Sequence, residues 1–278
     1  MTQKKTTDTR AQPRRRKPKS GSLPLNLALQ GGGAHGAFTW GVLDALLEDG
    51  RIAFEGISGT SAGAMNAVVL SDGLARDGRD GARGSLEKFW RAVSRAAHTS
   101  PIQRSPLNIL FGDWNLDTSP TFMAFDLMSR LVSPYEFNPL NINPLRELVE
   151  ENVDFGRLRN SGDISLFISA TNVHTGKVKV FKGAEVTVDS VMASACLPHL
   201  FQAVVIDDVP YWDGGFAGNP VLFPFHSACA TSDLLLIQTN PISRKSTPNT
   251  AREILDRMNE ISFNSALLHE LRSIEFVA

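Results

Sequence analysis

The segment that decides the fold of this chain is IAFEGISGTSAGAMNAVVL, residues 52–70. It begins with the apolar run 52–58, continues into GTSAG at residues 59–63, and ends with small and apolar residues at 64–70. The first part is typical of a strand, and the last part is typical of a helix packed against a sheet. The segment therefore predicts a strand, a sharp turn and a helix, with a serine in the turn.

The turn itself, Gly59-Thr60-Ser61-Ala62-Gly63, fits the pattern G-x-S-x-G. A serine hydroxyl becomes a useful nucleophile only when it lies clear of other side chains and close to a base. In a sharp strand-to-helix turn the residues two before and two after the serine crowd each other, which explains the two glycines. The free N–H groups at the start of the following helix also point at the serine. The pattern favours Ser61 as a nucleophile, although an ordinary glycine-rich connection has the same composition.

The residues around this segment predict an α/β fold. Leu25, Leu27 and Leu29 alternate with smaller or polar residues, which indicates a strand, and residues 37–48 have a helical pattern that ends at Gly50. Strand, loop, helix, strand, turn and helix in this order predict a parallel sheet. Further predicted elements are a surface loop at 72–84, a helix at 86–97, a hairpin of strands 164–171 and 177–181, a helix that Asp189 or Ser190 caps, a buried strand at 234–239, and a long helix that begins at the capping box 250–253.

A glycine-rich loop follows the first strand and consists of Gly31, Gly32, Gly33, Ala34, His35 and Gly36. Gly31, Gly33 and Gly36 satisfy G-x-G-x-x-G, and Glu55 lies about 20 residues further on, which is the outline of a dinucleotide-binding site. Alternatively, unpaired main-chain N–H groups of this loop bind the oxyanion that forms during ester cleavage. We favour the second interpretation, because the segment that contains Glu55 runs directly into the serine turn.

The base that would activate Ser61 is either a histidine or an aspartate. Histidine is the usual base of a serine hydrolase, but none of the six histidines has a recognisable catalytic context, and His199 is the best candidate. The alternative is Asp213, which two glycines follow, Gly214 and Gly215. A partly desolvated carboxylate has a raised pKa and can accept the serine proton directly. An Asp-Gly pair also occurs in ordinary turns.

Taken in order, the glycine loop, the serine turn and the Asp-Gly-Gly motif resemble those of the bacterial patatin-like phospholipases. Secondary similarities are ASACLP at residues 193–198 and two Asn-Pro-Leu stretches, at 138–140 and 143–145. The resemblance covers residues 23–278. In two places the chain departs from the common pattern, since His35 stands where many members have Arg or Lys, and Asp-Gly-Gly replaces Asp-Gly-Ala.

The resemblance implies a three-layer α/β/α fold with a central, mostly parallel sheet. It also implies a Ser61–Asp213 dyad without a catalytic histidine, and an oxyanion hole from the main chain of residues 31–36. The expected substrate is a lipid ester, and no metal or cofactor is expected. Three alternatives stay open, namely a non-catalytic lipid-binding regulator, a His-dependent α/β-hydrolase and a nucleotide-binding module.

Charge is distributed unevenly along the chain. Of 28 basic and 29 acidic residues, eight basic and one acidic lie in residues 1–22, which leaves 20 basic and 28 acidic residues for the rest. An acidic body of this kind does not suit nucleic-acid binding. Residues 1–22 lack apolar periodicity and are predicted to be a disordered basic tail, either simply solvated or in contact with anionic lipid head groups or nucleic acid. Residues 23–278 are predicted to form one acyl-hydrolase domain.

The remaining sequence features concern location. The chain has no apolar run of the ~18 residues that cross a bilayer, and its first residues lack the apolar part of a secretory signal. Its two cysteines fit neither a disulfide framework nor a metal site, so we expect a cytoplasmic location. The apolar side chains between Ile109 and Met128 belong to the core, to an acyl groove or to a surface in peripheral contact with a membrane. The helical pattern continues to Ala278, which is consistent with a chain that is truncated there or with a longer natural protein.

Overall fold

The computed structural model describes residues 21–99 and 131–277. Most of the predicted basic tail and the apolar segment between Ile109 and Met128 lie outside these ranges. The described helices and strands are, in order, β1 (Leu23–Leu29), α1 (Gly36–Asp49), β2 (Ile52–Gly59), α2 (Ala62–Thr99), α3 (Pro134–Phe137), α4 (Pro144–Asn152), α5 (Phe155–Ser161), β3 (Ser165–Asn172), β4 (Val178–Lys182), α6 (Val188–Ser194), β5 (Val204–Ile206), β6 (Val209–Asp213), α7 (Phe223–Ala228), β7 (Leu234–Ile237) and α8 (Ala251–Val277).

One mixed sheet forms the centre of the described part of the chain. Its strand order is β5-β6-β3-β2-β1-β7, and β4 also pairs with β3. The neighbours β7, β1, β2 and β3 run parallel, whereas β4 and β6 run antiparallel to β3, and β5 runs antiparallel to β6. The predicted parallel sheet and the predicted hairpin of β3 and β4 are confirmed. The hairpin of β5 and β6 was not predicted.

Side chains that alternate along the strands build a core on each face of the sheet. Leu27, Leu29 and Ile168 pack into the larger core with α1 and α2. Ala28 and Phe167, their neighbours in sequence, pack into the smaller core with residues of α7 and α8. Because successive strand residues point to opposite faces, the two cores lie on opposite sides of the sheet, and helices cover each of them. The predicted three-layer α/β/α fold is confirmed.

The predicted surface loop at residues 72–84 is wrong. α2 runs through this region, and its non-helical residues are Asp77 and Gly78, where the helix turns sharply. The two arms of the helix then meet closely, since a Cβ on Gly73 would lie 2.5 Å from the Cα of Ala82. The glycines that suggested a loop therefore allow two helical arms to pack against each other.

Helix caps agree with the sequence in one case and differ in another. At the start of α8, the N–H of Glu253 donates to Thr250 Oγ1 over 3.2 Å, and the Thr250 N–H donates back to the Glu253 carboxylate. The predicted capping box is confirmed. At the start of α6, Thr187 Oγ1 accepts from the Ser190 N–H, so Thr187 caps this helix rather than Asp189 or Ser190.

Candidate active site

The serine turn has the strained geometry that its sequence predicts. Ser61 lies between the end of β2 and the start of α2 with a φ of 54°, a left-handed conformation that costs a non-glycine residue roughly 1–2 kcal/mol. A Cβ on Gly59 would lie 2.5 Å from the carbonyl oxygen of Gly63. A Cβ on Gly63 would overlap the carbonyl group of Leu29. Both glycines are therefore required for the strand, the turn and the helix to meet.

Two buried hydroxyl groups fix the backbone around the serine. The N–H of Ser61 donates to Ser194 Oγ at 2.9 Å, and Ser194 is the last residue of α6. The hydroxyl of Thr60 donates to the carbonyl oxygen of Gly218 at 2.8 Å. Neither Ser194 nor Thr60 is exposed to solvent. These contacts come from two separate parts of the chain, and together they hold Ser61 in its unusual conformation.

Strand pairing brings Asp213 towards the serine turn. Ile168 of β3 pairs with β2 on one edge and with β4 on the other. Ala170, two residues further on, pairs with β4 and with β6. Because a strand has only two edges, β2 and β6 share one edge of β3. Gly59 lies opposite Ile168 and Asp213 lies opposite Ala170, so the two strands meet end to end about 7 Å apart along β3.

The Asp213 carboxyl lies in a desolvated position beside the serine. The residue has no exposed surface, and burial raises the pKa of its carboxyl from the ordinary 3.8 to about 6. The Gly215 N–H donates to Oδ1 at 2.7 Å, and this hydrogen bond lowers the pKa of the carboxyl. The hydroxyl of Ser61 also lowers this pKa. Oδ2 is buried and has no partner with full hydrogen-bond geometry among the described residues. The Asp213 carboxyl therefore has Ser61 among the groups that affect its pKa, and one of its oxygens is not engaged by the described residues.

The two glycines after Asp213 make its turn compact. A Cβ on Gly214 would overlap the carbonyl group of Ser169 in β3. A Cβ on Gly215 would overlap the ring of Phe263, which belongs to α8. Side chains at either position would push the turn away from the sheet or from α8. The predicted motif at Asp213, Gly214 and Gly215 is thus a site of close packing as well as a turn.

The glycine loop offers fewer free amides than its sequence suggested. The Gly31 N–H donates to Asn219 Oδ1 at 2.7 Å, the His35 N–H donates to the Gly32 carbonyl, and the Gly36 N–H donates to carbonyl groups of the same loop. Three of the six amides in the loop that was predicted to form the oxyanion hole are therefore engaged within the protein. Amides that have no hydrogen-bond partner among the described residues are those of Gly32, Gly33 and Ala34.

The three motifs that form this site fall within one family model. The model described as Patatin-like phospholipase matches residues 27–228, which contain the glycine loop, the serine turn and the Asp-Gly-Gly motif. The chain belongs to the patatin-like phospholipase family. The resemblance inferred from the sequence is therefore confirmed, and membership of this family supports an enzyme that acts on lipid esters.

Two solved structures are similar to this patatin-like chain. VipD from Legionella pneumophila is 20% identical, with 76% of this chain and 49% of VipD covered and a TM-score of 0.42. The ExoU–SpcU complex from the type III secretion system of Pseudomonas aeruginosa gives 16% identity, 91% and 52% coverage, and a TM-score of 0.32. The chain thus spans about half the length of each matched chain. No curated protein matches this chain in sequence.

The nucleotide-binding interpretation of the glycine loop is not supported by the position of Glu55. Its carboxylate accepts the N–H groups of Ala230 and Thr231 at 2.7 and 2.9 Å. Both acceptor oxygens are therefore used to fix the segment before β7. A dinucleotide site needs such a carboxylate for the ribose hydroxyl groups, so this patatin-like chain uses Glu55 for a structural purpose.

His199 lies near the site but does not contact the proposed reacting groups. It is exposed, and it lines an open cavity of about 610 Å³ with Pro198, Trp212 and Phe216. The side chains of five histidines, namely His35, His174, His199, His226 and His269, do not hydrogen-bond Asp213 or Ser61. His35 is exposed, and its Nδ1 lies 3.0 Å from the carbonyl oxygen of Gly32. The structure therefore brings Asp213, and not a histidine, to the serine turn.

Two residues of the site were not identified from the sequence. Ser194 could have been found, because it belongs to the ASACLP stretch that resembles the family. Asn219 gave no signal, since Asn-Pro is an ordinary turn sequence. The described residues contain no group of three or more His, Cys, Asp or Glu side chains arranged to bind a metal ion.

The helices of the described ranges give one finding about membrane contact. None of the helices there is both long enough and apolar enough to cross a membrane. The cytoplasmic location and the peripheral membrane contact inferred from the sequence stay predictions.

Proposed function

We propose that this protein is a serine acyl-hydrolase that cleaves carboxylic esters of lipids through a Ser61–Asp213 dyad. The observation that carries the proposal is the end-to-end meeting of β2 and β6 on one edge of β3. It brings a strained serine towards a buried aspartate with one unpartnered carboxylate oxygen. Membership of the patatin-like phospholipase family supports the same chemistry.

The reaction begins when the Ser61 hydroxyl attacks the ester carbonyl carbon. Asp213 Oδ2 accepts the hydroxyl proton as the new C–O bond forms. The carbonyl oxygen becomes an oxyanion, and the free amides at residues 32–34 lie in the loop that can donate to it. When the tetrahedral intermediate collapses, the protonated Asp213 returns the proton to the leaving alcohol, and the acyl group stays on Ser61.

Water completes the cycle at the same two residues. Asp213 is ionised again after the alcohol leaves, so it accepts a proton from a water molecule that attacks the acyl-enzyme. The second tetrahedral intermediate then expels Ser61 Oγ, which takes the proton back from Asp213, and a carboxylic acid is released. A carboxylate with a pKa of about 6 suits this role, since it is ionised at neutral pH and is a stronger base than an ordinary aspartate.

The neighbourhood of Asp213 also suits an apolar substrate. Trp212, which precedes Asp213, and Phe216, which follows the two glycines, line the cavity of about 610 Å³ together with Val173 and Pro198. The same cavity is also lined by Thr171, Asn172 and His199, and its apolar walls suit an acyl chain. Lipid esters are therefore the proposed substrate class.

The proposal is tested by measuring ester hydrolysis with purified variants that are folded like the original protein. We expect Ser61→Ala and Asp213→Asn each to lower kcat for p-nitrophenyl acyl esters and phosphatidylcholine vesicles by about 10⁴-fold. His199→Ala is the matched control, and we expect its kcat to stay within about threefold of the original value. Full activity in folded Ser61→Ala would exclude the assignment. A large loss in His199→Ala would instead indicate a histidine base, and an inactive original protein would indicate a lipid-binding descendant.

A further inference from the structure

Asn219 connects the glycine loop to the segment that follows the Asp213 turn. It lies six residues after Asp213 in sequence and has no exposed surface. Its Oδ1 accepts the Gly31 N–H at 2.7 Å, a contact between residues 188 positions apart. The contact lies inside the protein, where a hydrogen bond is shielded from water and is geometrically well defined.

The orientation of this side chain is fixed by its partner. A backbone N–H can only donate, so the atom that faces Gly31 must be the amide oxygen and not the amide nitrogen. Asn219 Nδ2 consequently points elsewhere, and it is buried without a hydrogen-bond partner among the described residues. A buried, unpaired NH₂ group is unusual in a native protein. Among the described residues, the hydrogen bonding of this side-chain amide therefore rests on its oxygen.

The contact lies next to the proposed nucleophile. A Cβ on Gly31 would be 2.7 Å from the Cβ of Ser61 and 3.1 Å from Asn219 Oδ1. The Gly31 backbone therefore lies close to both Ser61 and Asn219. Any shift of Gly31 also moves the free amides at residues 32–34 relative to the Ser61 hydroxyl.

The residue before Gly31 is fixed in the same way. Gln30 is fully buried, and its Oε1 accepts the N–H groups of Thr239 and Asn240 at 2.9 and 2.8 Å. Its Nε2 donates to Asn264 Oδ1 at 2.8 Å and lies 3.4 Å from the main-chain oxygen of Asn219. Asn219 thus contacts both Gln30 and Gly31, at the point where β1 ends and the glycine loop begins.

We infer that Asn219 is a positioning residue for the ester-cleaving reaction proposed above. By accepting the Gly31 N–H it sets the distance between the Ser61 hydroxyl and the free amides of the glycine loop. This role rests on the proposed function. It predicts that loss of the Asn219 side chain weakens binding of the tetrahedral, oxyanion-bearing state and leaves binding of the intact ester unchanged.

Asn219→Ala is the test, and Asn26→Ala is its matched control. Asn26 is also buried, it also has one bonded and one unpaired polar atom, and it lies in β1 before the loop. For both variants we would measure kcat and KM with a p-nitrophenyl ester, and the affinity for a trifluoromethyl ketone, which forms a tetrahedral adduct with the serine. A non-hydrolysable ether analogue of the ester reports on binding of the ground state.

For Asn219→Ala we expect kcat to fall about 10- to 100-fold, the ketone affinity to fall by the same factor, and KM and the ether affinity to stay within about threefold. Asn26→Ala should leave all four quantities unchanged. The inference would be overturned if Asn219→Ala kept the kcat and the ketone affinity of the original protein, or if it lost equal affinity for the ketone and the ether. Asn219→Ser gives the same readout if the alanine variant does not fold. Failure of the proposed function is separate, because the original protein would then lack activity and ketone binding.

Discussion

At the scale of single residues, Asp213 combines properties that oppose each other. Its burial makes the carboxylate a better base, because water no longer stabilises the charged form and the pKa rises to about 6. The same burial makes ionisation at neutral pH costly for the folded state. The free oxygen that would accept the Ser61 proton is also a buried acceptor that has no partner with full hydrogen-bond geometry among the described residues. Stability and the proposed activity therefore make opposite demands on this residue.

The pH dependence of stability follows from the direction of this pKa shift. The folded state binds the Asp213 proton more tightly than the unfolded chain, whose carboxyl has the ordinary value of 3.8. The stabilising contribution is fully present below that value and is lost as the pH rises through about 6. Asparagine cannot ionise, so Asp213→Asn does not lose stability as the pH rises. We therefore expect this variant to raise the free energy of unfolding at pH 7.5 by about 1–3 kcal/mol relative to the original protein.

Chemical denaturation of both proteins between pH 4 and 8 measures this difference. It should be small at pH 4 and should grow through pH 6, because all other ionisable groups are shared. A constant difference across this range would contradict the raised pKa. The activity should show the complementary dependence, with kcat/KM falling about tenfold per pH unit below an apparent pKa of about 6.

At the scale of secondary structure elements, the site depends on how closely strands and helices approach each other. The first turn of α2 contacts the end of β1 at Gly63, where a side chain would overlap the Leu29 carbonyl group. Gly41 in α1 is the opposite case, since it is exposed and a Cβ there would meet nothing within 4 Å. Substitutions at Gly63 and Gly41 therefore distinguish an effect on packing from an effect on helix propensity.

We expect Gly63→Ala to lower the free energy of unfolding by about 1–3 kcal/mol, because the added methyl group must push α2 away from β1. It should also reduce ester hydrolysis, because Ser61 precedes this turn of the helix. Gly41→Ala should instead stabilise the protein by about 0.5–1 kcal/mol, since alanine favours a helix interior. Urea titrations measure both changes. Equal tolerance at the two positions would show that the serine turn is not closely packed.

Local patterns predicted most of these elements, and they failed where the structure depends on distant contacts. The segment at residues 52–70 has its predicted strand, turn and helix because each part has a strong local preference. The sequence at 72–84 was misinterpreted because its glycines serve packing between two helical arms. The β5–β6 hairpin was missed because its turn residues, Asp207 and Asp208, both adopt positive φ, where glycine or asparagine is more usual.

The site was predictable in its motifs but not in its geometry. G-x-S-x-G and Asp-Gly-Gly mark Ser61 and Asp213, whereas their meeting depends on the pairing of β2 and β6 with the same edge of β3. Strand register between distant segments is set by the whole fold, and no short pattern encodes it. The engagement of the Gly31 amide by Asn219 was hidden for the same reason.

At the scale of the whole molecule, α8 supports the site from outside the residues that define the family. The family model ends at residue 228, and α8 spans Ala251–Val277. Its Phe263 ring covers Gly215 and contacts Phe216, with ring centroids 5.2 Å apart. Glu270 accepts the N–H groups of Leu222 and Phe223 at 2.7 and 2.9 Å. The helix therefore completes the layer that covers the Asp213 turn.

Leu267 tests this contribution of α8. It is 1% exposed and packs in the smaller core with Ala28 and Phe167. We expect Leu267→Ala to lower the free energy of unfolding by about 2–5 kcal/mol and to reduce ester hydrolysis. Ile254→Ala on the same helix is the control, since Ile254 is exposed and should change stability by less than about 0.5 kcal/mol. Equal, small effects in denaturation experiments would show that α8 does not stabilise the fold.

The central claim is that Ser61 is an activated nucleophile, and covalent labelling with a fluorophosphonate tests it most directly. Attack by Ser61 Oγ on phosphorus would expel fluoride and leave a stable adduct, which tandem mass spectrometry of a digest locates. We predict one adduct, on Ser61, that is absent from Ser61→Ala and forms at least about 100-fold more slowly in Asp213→Asn. An unlabelled, folded protein, or an adduct on a different residue, would contradict the account.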